Sequence, residues 1–256
     1  MTKPDPLRPL GLALVVGVVL LQVPYGGYAI YPFKLLGTWL HESCHALAML
    51  LTGAGFTGLE VFADGSGLAH AERSAGPLAK AVIAPAGYMG APLAGVAMVV
   101  AVSRRWARAG LIALGAALVA TALASITNRF GQVGIGATGL ALLAIAALPR
   151  PRWHAGALAL LAAQATTGAL VDIRVLFQPT LVVDGQVVRN SDAHQMALGT
   201  FGTDATWAVW LWAALWLAWS IAVLFWVLRR LQRAGLSGPP RAVPSARPAD
   251  ARPPPR

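Results

Sequence analysis

Apolar residues along this chain come in runs, each near the ~20 residues a helix needs to cross the hydrocarbon core of a bilayer. The first extends from about Leu7 to Ile30 and the second from about Leu35 to Thr52. A third covers Pro77 to Val102, a fourth Ala109 to Ile126, a fifth Val133 to Leu148 and a sixth His154 to Phe177. The last covers Ala205 to Leu228 and holds six of the nine Trp. Between the second and third runs, GFTGLEVFADGSGLAHAERSAG alternates in part and carries Gly-rich turns, which predicts one or two short strands. The pattern therefore predicts an all-α polytopic membrane protein. It has six to seven transmembrane or re-entrant helices and a small β-hairpin at the membrane edge. The third run, with Pro85, Gly87 and Pro92, is expected to be re-entrant, because irregular backbone at membrane depth is tolerated where it lines a buried site.

Composition sharpens the class. Of 256 residues, 57% are hydrophobic and 12% charged, with a mean hydropathy of +0.62. A soluble domain carries about 25% charged residues, so a disordered chain is excluded and a soluble globule nearly so. A single cysteine, Cys44, excludes an intrachain disulfide framework. The net charge of +10 is unevenly spread. Arg104, Arg105 and Arg108 form one cluster, Arg150 and Arg152 a second, and Arg229, Arg230 and Arg233 a third. Positive charge in short loops marks the cytoplasmic side, and Lys3 and Arg8 place the N-terminus there too. The third run would then have cytoplasmic charge at both ends, a conflict that is removed either by re-entry, the expectation taken here, or by one basic cluster lying outside.

Three regions follow: an N-terminal transmembrane anchor over 1–34, a membrane domain over 35–228, and a basic, Pro-rich, disordered cytoplasmic tail over 229–256. The tail is expected to lie near anionic lipid. No nucleic-acid module accompanies it. The first run could serve as a signal peptide, but no clear small-x-small cleavage site follows in QVPYGGYAIY, so a retained anchor is expected. The protein is expected in the plasma (inner) membrane as a multi-pass protein.

Residues 41–45 read His-Glu-Ser-Cys-His. On a helix, positions i and i+4 lie about 40° apart in azimuth and one turn apart in height. His41 and His45 can therefore grip one metal ion. Glu42, about 100° round from His41, can take a proton from water held there. This is the HExxH pattern of zinc proteases, with the ion, Zn²⁺, held by the two imidazoles. Ionisable side chains inside an apolar segment cost roughly 2.5–3.5 kcal/mol each on insertion scales, and a divalent cation offsets that cost. Cys44 faces away from the pair and reads as packing.

Zinc catalysis takes three protein ligands and a water. Asp192, in NSDAHQ, is either the third ligand or a helix cap shared with Ser191. Asp172, in GALVDIRVLF, is the alternative ligand, or else the partner of Arg174. Asp184, in LVVDGQVV, reads as an Asp-Gly hairpin turn. Asn128 contacts either a substrate strand or a neighbouring helix. His70 and His194 read as exposed loop residues, and His154 as interfacial.

HESCHALAMLLTG resembles the HExxHA…TG segment of site-2-protease-like intramembrane zinc metallopeptidases, in particular the compact membrane branch without a PDZ domain. APAGYMGAP, TNRFG (residues 127–131) and NSDAHQMALGTFG are similar to further segments of that branch, in the same order, so the likeness covers about residues 35–228. The resemblance implies a zinc metalloendopeptidase acting on peptides or transmembrane proteins, with Asp192 as third ligand and Asn128 binding substrate. The Asn-Pro-x-x-Asp and Leu-Asp-Gly ligand motifs of site-2 proteases proper are absent. The alternative is a non-proteolytic metal-binding membrane protein: a chaperone, a regulator or a transporter component.

Overall fold

The structure, a computed structural model, describes residues 26–178, 181–188 and 191–236, together with Val19. Seven α-helices occur among the described residues. They are α1 (Gly26–Leu51), α2 (Pro77–Ser103), α3 (Ala107–Ala124), α4 (Arg129–Ala147), α5 (Pro151–Ile173), α6 (Asp192–Phe201) and α7 (Thr206–Leu236). A 3₁₀ turn, Arg174–Phe177, extends α5. Strands β1 (Gly58–Val61) and β2 (Gly67–His70) form one antiparallel hairpin, and β3 (Leu181–Val183) and β4 (Gln186–Val188) a second. The second turns on Asp184 and Gly185, with φ of 50° and 73°. Positive φ at both central residues is the type I′ geometry that Asp-Gly favours.

Among the described residues, five helices are long and apolar enough to cross a bilayer: α2, α3, α4, α5 with its 3₁₀ extension, and α7. Their outward side chains are large and apolar, among them Leu123, Val133, Leu140 and Ile221, as expected where lipid is the solvent. Contacts between helices use small residues, which let backbones approach closely. A Cβ on Gly139 would sit 2.8 Å from the Gly115 carbonyl, so α3 and α4 cross backbone to backbone. A Cβ on Gly95 would meet Thr166 at 2.6 Å, which brings α2 against α5. Leu36, Leu59, Leu111, Leu118, Ile135 and Leu158 fill the main core. A smaller core joins the end of α5 to α6 and α7 through Ile173, Met196 and Trp216.

Two expectations need correction. The third apolar run does not break: α2 is one helix of 27 residues through Pro85 and Pro92. Proline is tolerated inside a membrane helix where neighbouring groups satisfy the backbone. The carbonyls that Pro85 and Pro92 leave without a helical donor are those of Ala81 and Tyr88; close to them, the Ile83 carbonyl accepts from His45 Nδ1 at 2.7 Å and the Met89 carbonyl from Trp219 Nε1 at 3.2 Å. Short connections make α2 to α5 alternate in direction, and Trp210 near the start of α7 packs on Phe177. The three arginine clusters then share one end of the set, and both hairpins with α6 share the other.

The second correction concerns the interval between the first two apolar runs, which is not a break. Residues 26–34, assigned to the anchor, are the first turns of α1, and Tyr31 and Lys34 on it donate to the Ala63 and Asp64 carbonyls at 2.5 and 2.6 Å. The rest of the expected anchor, and the tail beyond Leu236, lie outside the described residues. Helix α7 continues past Leu228 to Leu236. Trp207 and Trp226 stand exposed near its two ends, and the Arg230 guanidinium lies 5.0 Å from the Trp226 ring.

Candidate metal centre

Helix α1 brings His41, Glu42 and His45 to one cavity of about 660 Å³, and Asp172, Asp192 and Tyr88 line it as well. The cavity lies beneath the β1–β2 hairpin. Strand β1 is paired on both sides. β2 is on one side; on the other, Leu59 N–H donates to the Ser125 carbonyl at 2.9 Å and Thr127 N–H to the Leu59 carbonyl at 3.0 Å. Phe62 N–H donates to the Ser66 carbonyl across the hairpin. In this register bonded and non-bonded pairs alternate, so Gly67 and Ala69 turn their N–H and C=O away from β1. Both residues line the cavity. Gly67 must be small: its Cβ would fall 2.6 Å from Thr38 Cγ2 and 2.8 Å from Glu42 Cγ.

The two imidazoles meet as helical spacing requires. His41 Nε2 and His45 Nε2 are 2.9 Å apart, and Asp192 Oδ2 lies 3.3 Å from the first and 3.2 Å from the second. Tetrahedral zinc bonds of about 2.05 Å set ligand atoms about 3.3 Å apart, so the triangle fits such an ion. Tautomer chemistry points the same way. The Ile83 carbonyl can only accept, so His45 Nδ1 carries the proton. The Nε2 of the neutral ring is then a bare lone pair facing a carboxylate oxygen 3.2 Å away. Two acceptors at that distance are reconciled by a positive charge between them, either a metal ion or the proton of an imidazolium that donates to Asp192. The three residues form a group able to hold a metal ion.

Asp192 is free to act because another residue caps the helix. Ser191 is the N-cap of α6: its Oγ accepts from His194 N–H at 3.3 Å and pairs with His194 Nδ1 at 2.7 Å. Asp192 opens the helix and faces the imidazoles. His194 is thereby tied to the cap and outside the ligand triangle. Asp172 stands apart as well. It makes no ion pair with Arg174 among the described residues, and lies over Gly37, one turn before His41, with Oδ2 4.0 Å from where a Cβ would be. Cys44 packs on α2 at Gly90, away from the pair.

Asn128 does otherwise than its sequence suggested. It does not line the cavity. Its Nδ2 donates to the Val61 carbonyl at 2.7 Å and its Oδ1 accepts from Val61 N–H at 3.2 Å. The amide thus copies a strand's backbone and extends the pairing of β1, outside the lining of the cavity. His154, in the first turn of α5 beside Arg152, is buried against the protein, and its Nε2 donates to the Leu148 carbonyl at 3.0 Å, closing the turn before α5. Sequence reading also passed over Gly87 and Tyr88, which contact His41. Their only signal was a Gly-Tyr pair in an apolar run.

The profile of the Peptidase M50B-like family matches residues 11–227, so the chain belongs to that family, the site-2-protease family. The match begins within the expected anchor and ends near the close of α7. No curated protein and no solved structure matches the chain.

Proposed function

We propose that the protein is a membrane-embedded zinc metalloendopeptidase that hydrolyses peptide bonds of membrane or membrane-proximal substrates. The observation that carries this reading is the meeting of His41, His45 and Asp192 beside Glu42, beneath the free edge of β2. His41 and His45, both through Nε2, and Asp192, through Oδ2, would hold the ion. When bound, zinc supplies Lewis acidity, acidifying water and polarising a peptide carbonyl. Glu42 accepts the proton of the attacking water and hands it to the departing amine nitrogen. The helix turn between His41 and Glu42 sets the base beside the ligands, and burial at 7% exposure shields it from bulk water.

Substrate would enter as an extended strand. The outward C=O groups of Gly67 and Ala69 and the N–H of Gly67 are a template for β-addition, parallel to the row of cavity residues on α1, while the Ala69 N–H is directed to the Glu42 carboxylate. A helical substrate must unwind first, because its carbonyls are occupied internally. Lys34, at the hairpin end of α1, precedes His41 by seven residues, so the site lies about 10 Å along the helix from that charged position. By the positive-inside rule the arginine-rich end faces the cytoplasm, and the cavity opens in the opposite half of the membrane.

The test is Glu42→Gln in purified full-length protein. It should abolish cleavage of a β-extended reporter peptide while one zinc per chain stays bound. Cleavage at the wild-type rate would overturn the assignment of the base.

A further inference from the structure

A metal-binding imidazole needs its ring plane fixed, and a hydrogen bond from the second nitrogen is the usual device. His45 has it, through Nδ1–H to the Ile83 carbonyl. His41 does not: both of its close polar contacts fall on Nε2, and its Nδ1 has no hydrogen bond among the described residues. Something else holds that ring. Gly87 and Tyr88, consecutive on α2 and so about 100° apart around it, form two walls. A Cβ on Gly87 would lie 2.4 to 2.6 Å from three atoms of the His41 ring, so that wall is bare backbone. Tyr88 meets the ring edge-on, with centroids 4.5 Å apart and planes at 82°.

Tyr88 is itself held. Its ring stacks on Trp216 of α7 at 5.3 Å and 13°, and Trp216 is 2% exposed. Trp212 packs against Trp216 at 6.3 Å. A column of rings therefore leads from the core of α7 to one ligand of the metal centre. Edge-to-face and offset geometries are the preferred arrangements of aromatic pairs, so the column has one low-energy setting.

We propose that Tyr88, backed by Trp216, is the positioning residue of His41: the ring contact replaces the hydrogen bond that fixes His45. The inference rests on His41 binding metal. It makes the phenyl ring of Tyr88, and not its hydroxyl, the working part.

The test uses full-length protein in detergent, with zinc affinity measured by competition with a chromophoric chelator and the visible spectrum of the cobalt-loaded protein as a second readout. Tyr88→Phe should bind zinc within about twofold of wild type, with an unchanged spectrum. Tyr88→Leu should weaken zinc by about tenfold or more, the scale for losing a ligand's outer support, and shift the cobalt bands. Trp216→Leu, one layer removed, should weaken zinc less while moving the bands in the same sense. It serves as the reporter if Tyr88→Leu fails to fold. Wild-type affinity and spectrum in Tyr88→Leu, or in Trp216→Leu where that is the reporter, would overturn the proposal. So would a Tyr88→Phe protein as weak as Tyr88→Leu, because the hydroxyl would then be the working part. Failure of the metal centre itself reads differently: His41→Ala would bind zinc as tightly as wild type.

Discussion

Replacing Gly87 by alanine tests the site through a single methyl group. Intrinsic preference favours the change, because alanine in a helix interior is better than glycine by about 1 kcal/mol. The position does not allow it. The new Cβ would lie 2.4 Å from His41 Nε2, 2.5 Å from Cε1 and 2.6 Å from Cδ2, against an ordinary carbon contact of about 3.5 Å or more. Roughly 1 Å of movement is needed, and metal–ligand distances tolerate only about 0.2 Å. Either His41 leaves the triangle or α2 moves off α1. Zinc affinity should fall by at least tenfold, the low end of effects from a disturbed ligand shell. Gly156→Ala and Gly168→Ala on α5 are the matched controls, since nothing lies within 4 Å of their new Cβ atoms. Both should bind zinc normally and be as stable as wild type or slightly more so. Chelator competition on the three purified proteins decides the matter. Wild-type zinc affinity in Gly87→Ala would refute the placement of His41 against α2.

Other outcomes follow from the same geometry. Asn128→Ala should cost about 1–3 kcal/mol in detergent unfolding by stranding the backbone groups of Val61, which is 0% exposed, and should leave zinc stoichiometry unchanged. Asp172→Asn should keep one zinc per chain by elemental analysis, whereas Asp192→Asn should lose it. The two hairpins meet at their tips, where Asp64 accepts from Ser66 Oγ and N–H and from Gly185 N–H. Burial pushes the Asp64 carboxyl up, but the Ser66 and Gly185 bonds and the Lys34 charge outweigh it, so it ionises below the usual value. Being depressed, this group contributes fully above the ordinary carboxylate range near 3.9 and loses its contribution as pH falls through the lower folded value. Hydrogen-exchange protection at the hairpin tips, taken relative to the intrinsic rate at each pH, should therefore be constant through neutral pH and fall only in strong acid.

Much of this could be read from residues alone, for physical reasons that can be named. His41 and His45 were legible because helical spacing dictates their meeting. Asp184–Gly185 was legible because few other pairs accept two positive φ values. Run lengths carried the helix count, since bilayer thickness sets them. What escaped depended on which faces of nearly uniform helices touch. Helix α2 is apolar all round, so nothing in it marks Gly87 and Tyr88 as the face against His41. Pro85 and Pro92 suggested a break, yet a neighbouring histidine and tryptophan take up carbonyls near them. Asn128 looked like a ligand for substrate because an amide matches any backbone. Only the fold shows that the backbone it matches is Val61. Asp192 could not be told from a cap until Ser191 was seen in that role.

The most direct measurement is zinc-edge X-ray absorption on the full-length, zinc-loaded protein. The account predicts two imidazole nitrogens and oxygen donors, all at about 2.0–2.2 Å. A sulfur scatterer at about 2.3 Å, which would draw Cys44 into the shell, or a shell without imidazole, would contradict it.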